Sequence, residues 1–281
     1  MILFLTSSPS VDFSDDLNPA NDFLNNLKKY IPENARFLFI TSDPDDPDMT
    51  EGYAQAVRIS FEKAGFSVSE YRSCDRRNED CIGSFIENSD VIYLAGGHVP
   101  TENAFFRDLG LRSLIRKFRG VVIGCSAGTM NAADTVYAVP ELEGEAADPS
   151  YRRFLSGLGL TKTMILPHYQ ACRNDVIDGL RLFEDIVFPD SAGRRFFALP
   201  DGSYLFSDGN GEIIFGEACL IENGRMSRIC ENGRSVRLRS RKYPGDREQR
   251  EEKQRDKKEK NDHLRPDPPE QSCPGRSDLI R

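Results

Sequence analysis

The sequence predicts an α/β domain, a mostly parallel sheet sandwiched by helices with an antiparallel edge near the C-terminal end. Three observations predict it. Short apolar runs alternate with amphipathic segments through most of the 281 residues. Runs such as MILFLTS (1–7) and VVIGC (121–125) are apolar almost throughout, as in strands covered on both faces. Further on, apolar runs are separated by D-G and N-G turns, which read as hairpins.

The elements follow in order. MILFLTS (1–7) is the first strand, and a Ser-, Asp- and Pro-rich loop follows it. A helix is expected around 19–30, where Phe23, Leu24 and Leu27 share a face. RFLFITS (36–42) is a strand, and the turn DPDDPDM leads to a helix over 50–64 with Ala54, Val57, Phe61 and Ala64 at helical spacing. FSVSEYR (66–72) reads as a strand and 78–87 as a helix. DVIYLAGG (90–97) is a strand closing in two glycines, and 102–118 reads as one or two helices. After VVIGC comes a helix over 127–134 that opens on small residues, then an irregular insertion over 135–160. TMILP (163–167) is a strand ending at His168, and a helix is expected over 173–187. FFALP (196–200), SYLFS (203–207) and EIIFGEACLI (212–221) complete the strands, and no repeat is visible.

Two parts are expected: a catalytic α/β domain over 1–235 and a charged tail over 236–281. From Gly245 the tail has almost no apolar residues, so it lacks what would offset the entropy of ordering and reads as disordered. Net charge is -8, which opposes nucleic-acid binding by the whole surface. No run reaches transmembrane length, and MILFLTSSPS lacks the basic flank of a signal peptide. The 7 cysteines are odd in number and form no C-x-x-C, which fits a reducing cytoplasm without disulfides or a metal cluster. No cofactor is expected: the glycine pair at 96–97 lacks dinucleotide-site spacing.

The chemistry centres on G-C-S-A-G at 124–128. G-x-S-x-G between an apolar strand and a helix is a nucleophile elbow, which holds its serine exposed on a strained turn. Ser126 occupies the central position; Cys125 is displaced by one and should point into the packing. Serine needs a base. Only 3 histidines exist, and His263 lies in the tail. His168, after a strand and behind Pro167, is the expected base, while His98, directly after the glycine pair, is expected to line the substrate pocket. The base needs an orienting carboxylate. Asp201 in L-P-D-G is favoured for its place after a strand; Glu141 and Glu143 in the insertion are the alternatives, expected otherwise to sit on a mobile lid over the substrate. The N–H groups of Gly97 and Ala127 are the expected oxyanion donors.

Together, L-A-G-G (94–97), G-C-S-A-G (124–128), L-P-H-Y (166–169) and L-P-D-G (199–202) resemble the peptidase E family, the aspartyl dipeptidase and cyanophycinase group of serine peptidases. The resemblance covers roughly residues 1–225 and implies a class I glutamine amidotransferase-like fold. It implies Ser126 as nucleophile, His168 as base, and Gly97 and Ala127 as the oxyanion hole. The family's third triad member is either an Asp in the insertion, nearest Glu141 here, or a Glu in L-P-E-G, where this chain has Asp201. Members often carry Asn or Asp after the glycine pair, so His98 is a departure that bears on substrate preference. Recognition of an N-terminal aspartate would call for an Arg, for which Arg173 is a candidate.

The expected partner is a small peptide, with neither nucleic acid nor membrane, and a homodimer is a possible assembly. Two other readings stay open: a binding or regulatory protein without turnover, and a non-peptidase serine hydrolase such as an esterase. A glutamine amidotransferase would need Cys where Ser126 stands.

Overall fold

The strands alternate their side chains between two hydrophobic layers, and that alternation builds the domain. A computed structural model describes residues 1–11 and 16–238. In chain order the first half comprises β1 (Ile2–Thr6), α1 (Phe23–Lys28), β2 (Ala35–Ile40), α2 (Pro47–Lys63), β3 (Val68–Cys74), α3 (Ile82–Glu87), β4 (Val91–Leu94), α4 (Val99–Asp108), α5 (Leu111–Ile115), β5 (Val121–Cys125) and α6 (Ala127–Asn131). Then come β6 (Thr135–Tyr137), β7 (Phe154–Ser156), β8 (Met164–Leu166), α7 (Tyr169–Cys172), β9 (Val176–Ile177) and β10 (Leu180–Arg181). A π-helical turn (Leu182–Val187) runs into α8 (Phe188–Asp190), and β11 (Arg195–Ala198), β12 (Tyr204–Ser207), β13 (Glu212–Phe215), β14 (Ala218–Glu222), β15 (Arg225–Cys230) and β16 (Ser235–Arg237) follow.

The main sheet has eight strands in the order β3-β2-β4-β5-β1-β12-β13-β16. The first five are parallel and the last three antiparallel, which is the α/β class with an antiparallel edge. Leu3, Leu5, Leu38, Ile40, Ile92 and Leu94 face one layer, with Ile82, Phe105 and Leu111 from α3, α4 and α5. Phe4, Phe37, Phe39, Tyr93 and Ile123 face the other, with Phe23 and Leu27 of α1 and Ala54 and Phe61 of α2. Helix α2 starts where Asp46 accepts the N–H of Met49 at 2.9 Å and Pro47 takes the first turn.

A second sheet, β8-β11-β14-β15, was not expected from the sequence. Strands β8 and β11 run parallel, so their carboxyl ends lie together. A third cluster, with Ala127 and Met130 of α6 beside Leu166, Phe196 and Ala198, packs this sheet against the helix after β5.

Several expectations are corrected. Of the helix expected over 173–187 only the last part forms, as the π-helical turn Leu182–Val187. The first part is a two-stranded hairpin, β9–β10, turning at Asp178 (φ 53°) and Gly179 (φ 80°). That D-G pair with two positive φ values is a strong hairpin signal. EIIFGEACLI is two strands, because Gly216 (φ 94°) breaks it and sends β14 into the second sheet. The helix at 19–30 is shortened to α1, since Asn21 and Asp22 take positive φ. The insertion over 135–160 holds the paired strands β6 and β7. Of the tail expected over 236–281, Val236 and Arg237 belong to β16 and pair with β13, and the part from 239 onward lies outside the described residues.

Candidate active site

The carboxyl ends of β1, β4, β5, β8 and β11 carry Ser7, Gly96–Gly97, Ser126, His168 and the turn to Asp201. At Ser126 the chain turns from β5 into α6 with φ 48° and ψ −109°. Such a conformation costs a non-glycine residue about 1–3 kcal/mol and persists only where its surroundings hold it. The surroundings are tight. A Cβ on Gly124 would lie 2.9 Å from the backbone N of Thr129, and one on Gly128 would lie 2.5 Å from the Leu94 carbonyl oxygen. The Ser126 N–H is shared between the carbonyls of Thr6 and Ser7 at 3.2 Å each. Thr6 donates its hydroxyl to Gly124 O and accepts that of Thr129 on its own carbonyl, both at 2.8 Å. The elbow is thus fastened to the end of β1.

Cys125 points into the packing beside Tyr93, and burial pushes its thiol up to about 12. A thiol so held is neutral and a poor nucleophile at neutral pH.

His168 follows β8 in the left-handed region, φ 56° and ψ 29°. Its Nε2 lies 2.8 Å from Ser126 Oγ, and its Nδ1 lies 2.8 Å from Asp201 Oδ1. Burial pushes the Asp201 carboxyl up. The hydrogen bonds from His168 and Ser7, the charge of His168 and the hydrogen bond from Gln170 together outweigh it and hold the group below its ordinary value. Gln170 donates Nε2–H to Asp201 Oδ2 at 2.7 Å and accepts the Asp201 N–H at 3.0 Å. An ionised carboxylate accepts, so Nδ1 carries the proton and Nε2 faces Ser126 with its lone pair. In that chain a hydroxyl proton can pass from Ser126 to His168.

Gly97 is fixed by a neighbour: a Cβ there would stand 2.3 Å from Ser42 Oγ. Ala127 opens α6, so its N–H has no acceptor within its own helix.

His98 is engaged elsewhere. Its Nδ1 pairs with Thr101 Oγ1 at 2.8 Å and its Nε2 with Glu145 Oε1 at 2.7 Å. Glu145 Oε2 accepts the N–H groups of Glu141 and Leu142. Asp178 accepts three more from the same loop, those of Gly144, Ala146 and Ala147. The segment expected to be a mobile lid is therefore tied at five backbone N–H groups. The carboxyl of Glu141 makes no hydrogen bond or ion pair among the described residues. Desolvation pushes it up to about 7, Glu145 adds to the rise, and the charges of His98 and His168 oppose it. The residue nonetheless presents much of its surface to solvent, which weakens the desolvation. Glu143 and Arg173 are exposed, and neither enters an ion pair among the described residues.

Sequence reasoning missed Ser7, Gln170, Glu145 and Asp178. Only Ser7 carried a signal, as a small hydroxyl residue at the end of an apolar strand. A cavity of about 570 Å³ opens between Asp90, Lys117 and Gly120, at the amino ends of β4 and β5, and shares no residue with the Ser126 site. No group of three or more His, Cys, Asp or Glu side chains among the described residues is set to hold a metal ion, and no helix among them is long and apolar enough to cross a membrane.

A family model described as peptidase family S51 matches residues 3–214. The fold is similar to that of a peptidase from an acI-B1 actinobacterium, with TM-score 0.57 and 16% identity over 84% of this chain and 96% of that one. It is also similar to a candidate peptidase E protein from Listeria monocytogenes EGD-e, with TM-score 0.54 and 18% identity over 82% of this chain and 98% of that one. No curated protein matches the chain.

Proposed function

The chain belongs to peptidase family S51 and is a serine-type peptidase, and from that premise we propose that it hydrolyses small peptides through an acyl-enzyme on Ser126. His168 is the general base and Asp201 the carboxylate that orients it. The observation that carries this reading is the unbroken line of two 2.8 Å contacts from Ser126 Oγ through the imidazole to Asp201 Oδ1.

Ser126 Oγ attacks the peptide carbonyl carbon while its proton moves to His168 Nε2. The Asp201 carboxylate, held ionised, stabilises the imidazolium that forms. The N–H groups of Gly97 and Ala127 receive the developing oxyanion. His168 then protonates the leaving amine, activates a water against the acyl-enzyme, and returns the proton to Ser126. Asp201 is preferred to Glu141 because its carboxylate is the one hydrogen-bonded to the imidazole. In this reading His98 and Glu141 border the substrate, Glu143 stands at the outer rim, and Arg173 is free to meet a substrate carboxylate.

Treatment with a serine-reactive fluorophosphonate, followed by mass spectrometry, should find one adduct at Ser126. A dipeptide library should then be cleaved by the wild type and not by a folded Ser126→Ala protein. Label on Cys125, or turnover persisting in Ser126→Ala, would refute the mechanism. Turnover of esters with none of peptides would refute the substrate class.

A further inference from the structure

Ser7 touches all three members of the Ser126–His168–Asp201 line. Its hydroxyl donates to Asp201 Oδ1 at 2.7 Å. The same oxygen accepts the backbone N–H of His168 at 2.7 Å. Its carbonyl shares the N–H of Ser126 at 3.2 Å. The side chain is wholly buried, and its own N–H is fixed to the Ser203 carbonyl at 3.2 Å.

The direction of the hydroxyl proton is determined. A serine hydroxyl has one proton to give. The partner on the His168 side is an N–H, a donor only, so the proton must go to Asp201. Asp201 Oδ1 therefore receives two donors, Ser7 Oγ–H and His168 Nδ1–H, while Oδ2 receives Gln170. Two fixed donors on one oxygen set where that oxygen sits and hence where the imidazole can go. The contact to His168 acts on the backbone. A non-glycine residue at φ 56° is held by its partners, and Ser7 Oγ is the acceptor of its N–H.

We infer that Ser7 is a positioning residue for the peptidase reaction, a hydroxyl clamp at the end of β1 that fixes the base against both its carboxylate and the nucleophile. The inference rests on the reading of Ser126, His168 and Asp201 given above. Ser7 touches no substrate and moves no proton in the reaction. It acts by keeping Ser126 Oγ within reach of Nε2, and an error on the order of 1 Å there costs about 10²-fold in rate.

Ser7→Ala removes one oxygen and no carbon from the packing. We expect kcat to fall by about 10- to 100-fold with KM within about 2-fold, since the loss lies in the chemical step. Ser7→Cys, which fills the space but donates weakly, should fall between alanine and wild type. The readout that a purely structural role would not give is non-additivity. In a His168→Ala background, where the clamp has no imidazole to aim, Ser7→Ala should change the residual rate by less than about 2-fold. Melting temperatures of all variants check that the chains compared are folded. A wild-type kcat for Ser7→Ala would overturn the inference, as would the same fold-loss in both backgrounds. If Ser126→Ala and His168→Ala remove nearly all turnover while Ser7→Ala keeps a wild-type kcat, this inference alone fails. Turnover retained in Ser126→Ala would instead sink the reading beneath it.

Discussion

The Nε2 nitrogen of His98 lies 2.7 Å from Oε1 of Glu145, a contact that joins the turn after β4 to the insertion. With Nδ1 held by Thr101, both nitrogens of this imidazole are occupied. His98→Ala should therefore act on substrate binding, raising KM several-fold while kcat stays within about 3-fold of wild type. His168→Ala should lose on the order of 10³-fold or more in kcat, because a triad works as a unit. Steady-state kinetics on both variants makes the comparison, and the opposite pattern would move the base to His98.

Asp201→Asn keeps the shape of the turn and removes the charge. It should lower kcat by about 10²–10⁴-fold with little change in melting temperature, because the amide no longer enforces the correct imidazole tautomer. Glu141→Gln should alter KM more than kcat. A collapse of kcat in Glu141→Gln with a near-wild-type Asp201→Asn would transfer the orienting role to the insertion.

A methyl group at Gly97 would meet the Ser42 side chain, with Cβ 2.3 Å from Oγ and 2.7 Å from its Cβ. Gly97→Ala should displace the turn and its N–H, lowering kcat by about 10²–10³-fold, the loss typical of one oxyanion donor. Adding Ser42→Gly removes both clashing atoms, so the double variant should regain part of the rate. No recovery in a folded double variant would mean that Gly97 serves something other than close approach.

The Glu141 carboxyl is pushed up to about 7 by desolvation, above its value of roughly 4.3 in an unfolded chain. The folded state then binds the proton more tightly. Its contribution to stability is complete below pH about 4 and is lost as pH rises through about 7. Glu141→Gln removes that slope, so the drop in melting temperature between pH 5 and pH 8 should be smaller in the variant. Equal drops, measured by thermal denaturation, would show that Glu141 titrates as an ordinary surface carboxylate.

The α/β class was legible because its cause is local. Strands buried on both faces must be apolar throughout, and Leu3, Phe4 and Leu5 feed alternate layers. The strand-end positions of Gly97, Ser126 and His168 were legible for the same reason. The β9–β10 hairpin is set by the D-G pair at Asp178 and Gly179, whose positive φ values a sequence shows only as a turn signal inside a segment otherwise expected to be helical. The second sheet was missed because it depends on Gly216 diverting the chain, and a sequence shows a glycine there without showing which side chains crowd it. The place of Ser7 at the end of an apolar strand is legible, but its role, like that of Glu145, depends on partners far along the chain or on another loop, and a serine or a glutamate looks the same with or without them.

The clamp proposed for Ser7 has a consequence for when the chain becomes an enzyme. Ser7 is 161 residues from His168 and 194 from Asp201, so its contacts join the two ends of the domain. Pairing over such distances comes late, after loop closure has been compensated by most of the sheet. A chain still emerging from the ribosome displays its serine well before the carboxylate turn exists, and β1 cannot gain its β12 neighbour until residues 204–207 are made. With the roles proposed for Ser126, His168 and Asp201, hydrolytic competence belongs to the finished molecule. In that reading an active-site titration of a preparation should count its correctly folded members.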